Sequence, residues 1–277
     1  MSFREFLKAV LLGILEGVTE WLPVSSTGHM ILFDAFLPLA VSEGFRTLFL
    51  VVIQFFAVLA VLTVYRKKLF PFFRKDGAEE KKAAKRIWKA VFFASLPAAL
   101  LGFLLDDLID RYLFSPFVVA AALIVYGVVF LLIDRPRAKP SEPPKTPDRL
   151  SPASAIGVGF FQSLSLIPGT SRSGATILGG IALGMDRRSA AEFSFFLALP
   201  VMLGASGLKI AKYLLSGAGA SGEEILLLLV GSVVAYLTSL IVIRALVNFV
   251  GRHSFRPFGV YRILLGVVVL IFFFASR

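Results

Sequence analysis

Apolar residues along this chain run in blocks rather than in amphipathic stripes. Six blocks, near 46–65, 87–105, 115–134, 189–213, 224–247 and 257–275, are long enough to cross a bilayer as helices. Two further apolar segments are patterned differently. Each runs as one short helix, breaks at Pro23 or Pro168, passes through a Ser-rich turn and resumes as a second short helix. Neither piece alone spans comfortably, so each pair reads as a re-entrant helical hairpin, 6–37 and 153–184.

The two broken segments look like copies of one another. Laying Gly13 on Gly159 also lays Glu16 on Gln162, Ser25 on Ser171, Thr27 on Ser173, Gly28 on Gly174 and Ile31-Leu32 on Ile177-Leu178. The chain therefore reads as one integral membrane domain of two halves, 1–135 and 153–277, joined by a Pro-rich linker, 136–152. A hairpin plus three full spans per half places the second half on the opposite face from the first. The expected fold is all-α and polytopic: six transmembrane helices plus two re-entrant hairpins in an inverted-topology repeat, with the hairpins meeting near the midplane.

Composition agrees. The chain is 57% hydrophobic with 28 Phe, and its mean hydropathy is +0.83, well beyond a soluble domain. The net charge of +11 would suit nucleic acid in a soluble protein. Here the cations gather in 66–89, 135–149, 187–188 and 244–262, regions that fall on one face of the six-span arrangement. That marks the face as cytoplasmic and excludes nucleic acid as the partner. The 66–89 loop reads as an interfacial or solvated basic segment. Thiol chemistry is excluded by the absence of cysteine, and Glu16 and Glu20 interrupt the first apolar run in a way a signal peptide does not.

Ionisable residues in such apolar surroundings are functional candidates. Arg172 stands where a helix should start after the second break. There, free backbone N–H groups, the helix dipole and a guanidinium fork all suit phosphate, with Ser171, Ser173 and Thr176 as further donors. Snorkelling to a headgroup is the plainer alternative. Glu16 and Glu20 share a helix face; they suit a hard divalent cation, Mg²⁺ or Ca²⁺, or orient His29 or Arg172. Ser25, Ser26, Thr27 and His29 form the other half. Ser26 and His29 are one turn apart, which suits a nucleophile with an adjacent base. Gln54 reads as a helix–helix hydrogen bond and Glu192 as a buried acid. His253 reads as a headgroup contact, and Gly174, Gly179, Gly180 and Gly184 read as packing residues.

The runs Glu16-Gly17-Val18-Thr19-Glu20-Trp21-Leu22-Pro23-Val24-Ser25-Ser26-Thr27-Gly28-His29 and Pro168-Gly169-Thr170-Ser171-Arg172-Ser173-Gly174-Ala175-Thr176, with Ala191-Glu192-Phe193-Ser194-Phe195, closely resemble the undecaprenyl-diphosphate phosphatase family of the bacitracin-resistance type. The resemblance covers nearly the whole chain. It implies hydrolysis of undecaprenyl diphosphate to the monophosphate, which recycles the lipid carrier of cell-wall synthesis. It also implies a divalent cation, a bacterial plasma (inner) membrane location, a site open to the outer face and raised bacitracin tolerance. Within it, Arg172 with Ser171, Ser173 and Thr176 would clamp phosphate, joined by Ser25 and Thr27. Ser26 would be the nucleophile with His29 handling protons, and Glu16 and Glu20 would bind metal or set His29. Attack by a metal-activated water is the rival mechanism. The expected partners are an isoprenyl diphosphate and the bilayer, with room for a homodimer. A lipid-phosphate or small-anion transporter is the alternative function, since inverted repeats with broken helices also build transporters.

Overall fold

The computed structural model describes residues 2–71, 77–113, 115–133, 143–217 and 219–275, without the side chains of Asp106, Asp107 and Asp110. Most of the Pro-rich linker and residues 72–76 of the basic loop therefore lie outside the described residues. The described residues form eleven α-helices: α1 Phe3–Thr19, α2 Ser26–Phe36, α3 Glu43–Val64, α4 Arg66–Leu69, α5 Ala78–Tyr112, α6 Pro116–Ile133, α7 Pro152–Ser163, α8 Arg172–Ala182, α9 Arg187–Leu215, α10 Gly222–Val250 and α11 Arg256–Ala275. Six of them, α3, α5, α6, α9, α10 and α11, are long and apolar enough to cross a membrane. Many large apolar side chains on them, such as Phe103, Leu104, Leu226 and Leu264, face outward uncovered. This is the surface of a multi-pass membrane protein.

One boundary is corrected. The span placed at 87–105 begins at Ala78, so part of the basic loop is helical. The Ala, Lys, Glu and Arg between 78 and 89 are strong helix formers, and a polar stretch of high propensity extends an apolar helix into water at little cost.

The two broken segments come out as the pairs α1–α2 and α7–α8. In the first, the Glu5 carboxylate accepts from the Ala40 N–H at 2.9 Å, which ties the start of α1 to the end of α2. In the second, Lys145, just before α7, bridges to Met185, just after α8. Each pair leans on a long helix from the other half, α1 on α10 and α7 on α5, while α3 packs on α9 and α10, and α6 on α11. Gly13 and Gly159 permit the first two approaches. A Cβ on Gly13 would stand 2.6 Å from the Gly231 carbonyl oxygen, and one on Gly159 would stand 2.4 Å from that of Ala94.

Of the glycines read as packing residues, Gly179 is hard against Phe161. Gly184 does something else. Its φ of 97° ends α8: its N–H reaches the Ile181 carbonyl and the Met185 N–H reaches that of Gly180. These are the two bonds of a Schellman cap, which favours glycine.

Candidate functional site

Both breaks deliver the chain into the next helix through a serine with φ of 71°: Ser25 before α2 and Ser171 before α8. Such a backbone costs about 1–3 kcal/mol for a non-glycine residue, and each serine offsets part of it by capping its helix. The Ser25 hydroxyl accepts from the Gly28 N–H at 3.5 Å and the Ser171 hydroxyl from the Gly174 N–H at 3.2 Å. Further support comes from α11. Buried Arg262 donates to the Pro23 carbonyl at 3.2 Å and to those of Gly169 and Thr170, both at 2.9 Å. It also stacks over the Tyr126 ring. One guanidinium thus holds the carbonyls just ahead of both strained serines. Sequence reading had grouped Arg262 with the cytoplasmic cations; its place in the last apolar helix, like that of Arg172, was the available signal of burial.

The residues that follow the two serines are drawn into one network. Glu20 and Arg172 form a buried ion pair, with Arg172 Nη2 donating to Glu20 Oε1 at 2.8 Å. Arg172 Nη1 donates to the Ser194 carbonyl at 2.7 Å and meets its hydroxyl at 3.4 Å, while Thr176 Oγ1 lies 2.7 Å from that hydroxyl. The other Glu20 oxygen accepts from Gln54 Nε2 at 3.1 Å and, at the long distance of 3.5 Å, from Ser26 Oγ. Glu16, one turn before Glu20, is buried with Oε1 unpartnered, and Arg172 Nε is likewise buried without a partner. Buried polar atoms ordinarily find partners, so these two mark a place where a ligand or water is expected.

A cavity of about 770 Å³ reaches this network. Glu16, Ser26, Thr27 and Gln54 line its inner end, Met30, Ile31, Leu50 and Val51 its apolar middle, and Asp34, Arg46 and Lys209 its mouth. Glu20 and Arg172 stand one layer behind the inner end, reached through Ser26 and Gln54.

The sequence-expected residues divide accordingly. Glu16, Glu20, Ser26, Thr27 and Arg172 come together. Ser25, Ser173 and Thr176 are buried, Ser171 is partly buried, and all four are braced by protein partners: Ser173 Oγ donates to the Leu22 carbonyl at 3.2 Å, binding one break to the other, and lies 3.1 Å from Ser171 Oγ. His29 is not brought to Ser26. Its Nδ1 meets the Ser25 carbonyl and its Nε2 the Tyr261 hydroxyl, both at 2.7 Å, and the His29 and Tyr261 rings stack. Glu192 pairs with Lys68 and with Arg188, at 3.4 Å for the latter, and so joins α4 to α9 away from the cavity. His253 stacks on Phe249.

Two residues beyond the expected site set join the network, Gln54 and Ser194. Gln54, expected to make a helix–helix hydrogen bond, makes one from α3 to Glu20 at the end of α1. Ser194 stands in a run that carries the family resemblance, but its partner could not be read there, because it meets Arg172 through its carbonyl and any residue has one.

For a metal, the donors to test are Glu16 and Glu20. Among the described residues no group of three or more His, Cys, Asp or Glu converges. The unpartnered Glu16 Oε1 on the cavity wall nevertheless fits a hard cation that takes one or two carboxylates and fills its other positions with water and phosphate oxygens.

The chain is 50% identical over 273 residues to an undecaprenyl-diphosphatase 1 of Clostridioides difficile (strain 630), covering 99% of this chain and 98% of that protein. It is 46% identical over 273 residues to an undecaprenyl-diphosphatase of Enterococcus faecalis, with 98% of each covered. A third, from Streptococcus thermophilus (strain ATCC BAA-250 / LMG 18311), is 49% identical over 270 residues, 97% of this chain and 93% of that protein. With residues 9–268 matched by the family's model, a span that includes both breaks and the Arg262 staple, the chain belongs to the family described as bacitracin resistance protein BacA.

Proposed function

We propose that this chain is a membrane phosphatase that hydrolyses undecaprenyl diphosphate to undecaprenyl phosphate and inorganic phosphate, the reaction that returns the lipid carrier to cell-wall synthesis. The observation that carries the site assignment is the buried Glu20–Arg172 pair, which joins the two broken segments behind a serine at the inner end of a cavity. Phosphoryl transfer needs in-line positioning and neutralised charge more than unusual groups. This arrangement has a hydroxyl, a carboxylate within 3.5 Å of it and a guanidinium one layer back. Ser26 Oγ attacks the terminal phosphorus, the bond to the bridging oxygen breaks, and the lipid monophosphate leaves as the hydroxyl proton passes to Glu20. Water then cleaves the phosphoserine, phosphate departs and Ser26 regains its proton. The 3.5 Å separation is loose for proton transfer, as catalytic contacts without substrate often are. His29, engaged with Ser25 and Tyr261, positions the turn in this scheme.

Two carboxylates facing a polyanion call for countercharge. A divalent cation on Glu16 and Glu20 would supply it, neutralising phosphate oxygens. The inverted repeat and the re-entrant course of both pairs draw support from three features: the duplicated serines at φ 71°, the tied hairpin ends and the exchanged packing of α1 and α7. The cavity mouth lies at the start of α3 and towards the end of α9. Arg66 and Arg187-Arg188 mark the other ends of those helices. By the positive-inside rule the mouth opens to the outer face of the plasma membrane.

The test is phosphate release from a C55 or shorter isoprenyl diphosphate by purified protein in detergent, with Mg²⁺, Ca²⁺ or chelator. Turnover should need the metal and fall at least about 10²-fold in Arg172→Ala, the scale of losing one charge-stabilising donor. No release from folded wild type with any metal would reject the enzyme and leave a lipid-phosphate carrier, measured by flux into liposomes.

A further inference from the structure

A lipid diphosphate brings two phosphates to the site, the terminal one that is removed and the one that the lipid keeps, and both need a partner. None of the groups at the inner end of the cavity is spare for the second if they hold the phosphate that is removed. The mouth holds a second set of charges. Arg46, on the same face of α3 as Gln54, lies two turns from it, about 12 Å of helix rise, a length that an extended arginine side chain covers in large part. Its Nη1 donates to Asp34 Oδ2 at 3.0 Å and its Nη2 to the Leu39 carbonyl at 3.4 Å. Its Nε is buried with no partner. Asp34 is placed symmetrically, two turns along α2 from Ser26 and on the same face. The ion pair therefore bridges the two cavity walls, and Lys209 of α9 adds a second cation beside it.

The bridge is built to be exchanged rather than kept. Its side chains are 34% and 46% exposed, so the pair contributes little on its own. A guanidinium already making one charged contact, with an unpartnered N–H beside it, gains a fork to a phosphate by giving up a single carboxylate. We propose that Arg46 is a substrate-binding residue of the site, holding the phosphate that substrate and product share. It leaves Asp34 to bind the phosphate that stays on the lipid, while the terminal phosphate lies at Ser26. The inference rests on the reading of Ser26 as the point of cleavage. Met30, Ile31, Leu50 and Val51 then line the stretch beside the diphosphate and the first apolar units of the lipid. Asp34 acts as the counter-ion of Arg46 until a phosphate competes for it.

The experiment compares wild type, Arg46→Gln, Arg46→Lys and Asp34→Asn in the phosphate-release assay, with the matching isoprenyl monophosphate as competitor. Removing a charged contact to phosphate should raise KM about tenfold or more in Arg46→Gln, with kcat within about twofold. The inhibition constant of the monophosphate should rise in the same proportion. Arg46→Lys should recover part of both, since a point charge replaces the fork. Asp34→Asn should leave KM unchanged or lower it. Equal damage from Asp34→Asn and Arg46→Gln would mean that the pair merely braces α2 against α3, and would overturn the proposal. So would a folded Arg46→Gln protein with wild-type KM and wild-type inhibition. A wild type that releases no phosphate removes the phosphatase reading and this one together; a wild type that turns over beside a normal Arg46→Gln removes this one alone.

Discussion

The two broken segments share a backbone and divide the chemistry. Both pass through a serine at φ 71°, both cap a short helix with it, and both rest on a long helix through a glycine. Yet position by position the side chains differ. Glu16 faces Gln162 in the alignment, Ser26 faces Arg172 and His29 faces Ala175. The first copy holds the acids and the hydroxyl, and its α2 lines the cavity. The second holds the cation, and α8 is buried from Arg172 through Ile181. A duplicated strained turn supplies two helix starts at one place, and once the geometry is secured twice, each copy is free to carry half of a site. The buried Gln162 amide, with neither atom partnered, is what remains at the place where the first copy keeps a carboxylate.

If the division is real, changes at equivalent positions should have unequal chemical effects and equal structural ones. The largest effect is expected at Ser26. Ser26→Ala should lose at least about 10³-fold in kcat, roughly 4 kcal/mol of barrier, and should fail to form the phosphoserine that rapid quenching traps in wild type. A loss under tenfold would transfer the attack to a water and leave Ser26 as a donor.

Next come the scaffolding glycines. Gly13→Ala and Gly159→Ala each place a methyl against a carbonyl of the partner helix, so both should destabilise by about 1–3 kcal/mol. Thermal unfolding in detergent should show similar losses for the two. A loss at one and none at the other would break the symmetry of the scaffold.

The smallest effect is assigned to His29. With both ring nitrogens engaged by Ser25 and Tyr261, His29→Gln should lower kcat less than tenfold and leave the acid limb of the pH–rate profile in place. A large loss together with a vanished titration would return His29 to proton transfer at Ser26.

Much of this could be read along the chain. The apolar blocks placed the six long helices because a bilayer imposes a length and an apolarity that few other environments require. The prolines and the Ser-rich turns marked both breaks. Glu16, Glu20, Ser26 and Arg172 stood out because charge and hydroxyls are costly in such surroundings. Errors arose where the local pattern had two meanings. A Lys-rich stretch is equally a loop or a polar helix, and the start of α5 proved to be helix. Gly184 had the look of packing and serves as a cap. Ser26 and His29, three positions apart, can touch on a helix without having to, and Tyr261, from the far end of the chain, is the group that meets the ring at Nε2.

Taken alone, the sequence determined that the chain belongs in a membrane, where its helices lie, where they break and which residue types gather at the breaks. Those properties depend on composition and near neighbours, which a linear reading contains. The tertiary structure decided who meets whom. It set Arg172 on Glu20, Gln54 on the same carboxylate, Ser194 behind the guanidinium, Arg262 across both turns, and Arg46 with Asp34 at the cavity mouth. These contacts join residues far apart in sequence through hydrogen bonds a few ångströms long, and only the packing of one helix on another sets distances on that scale.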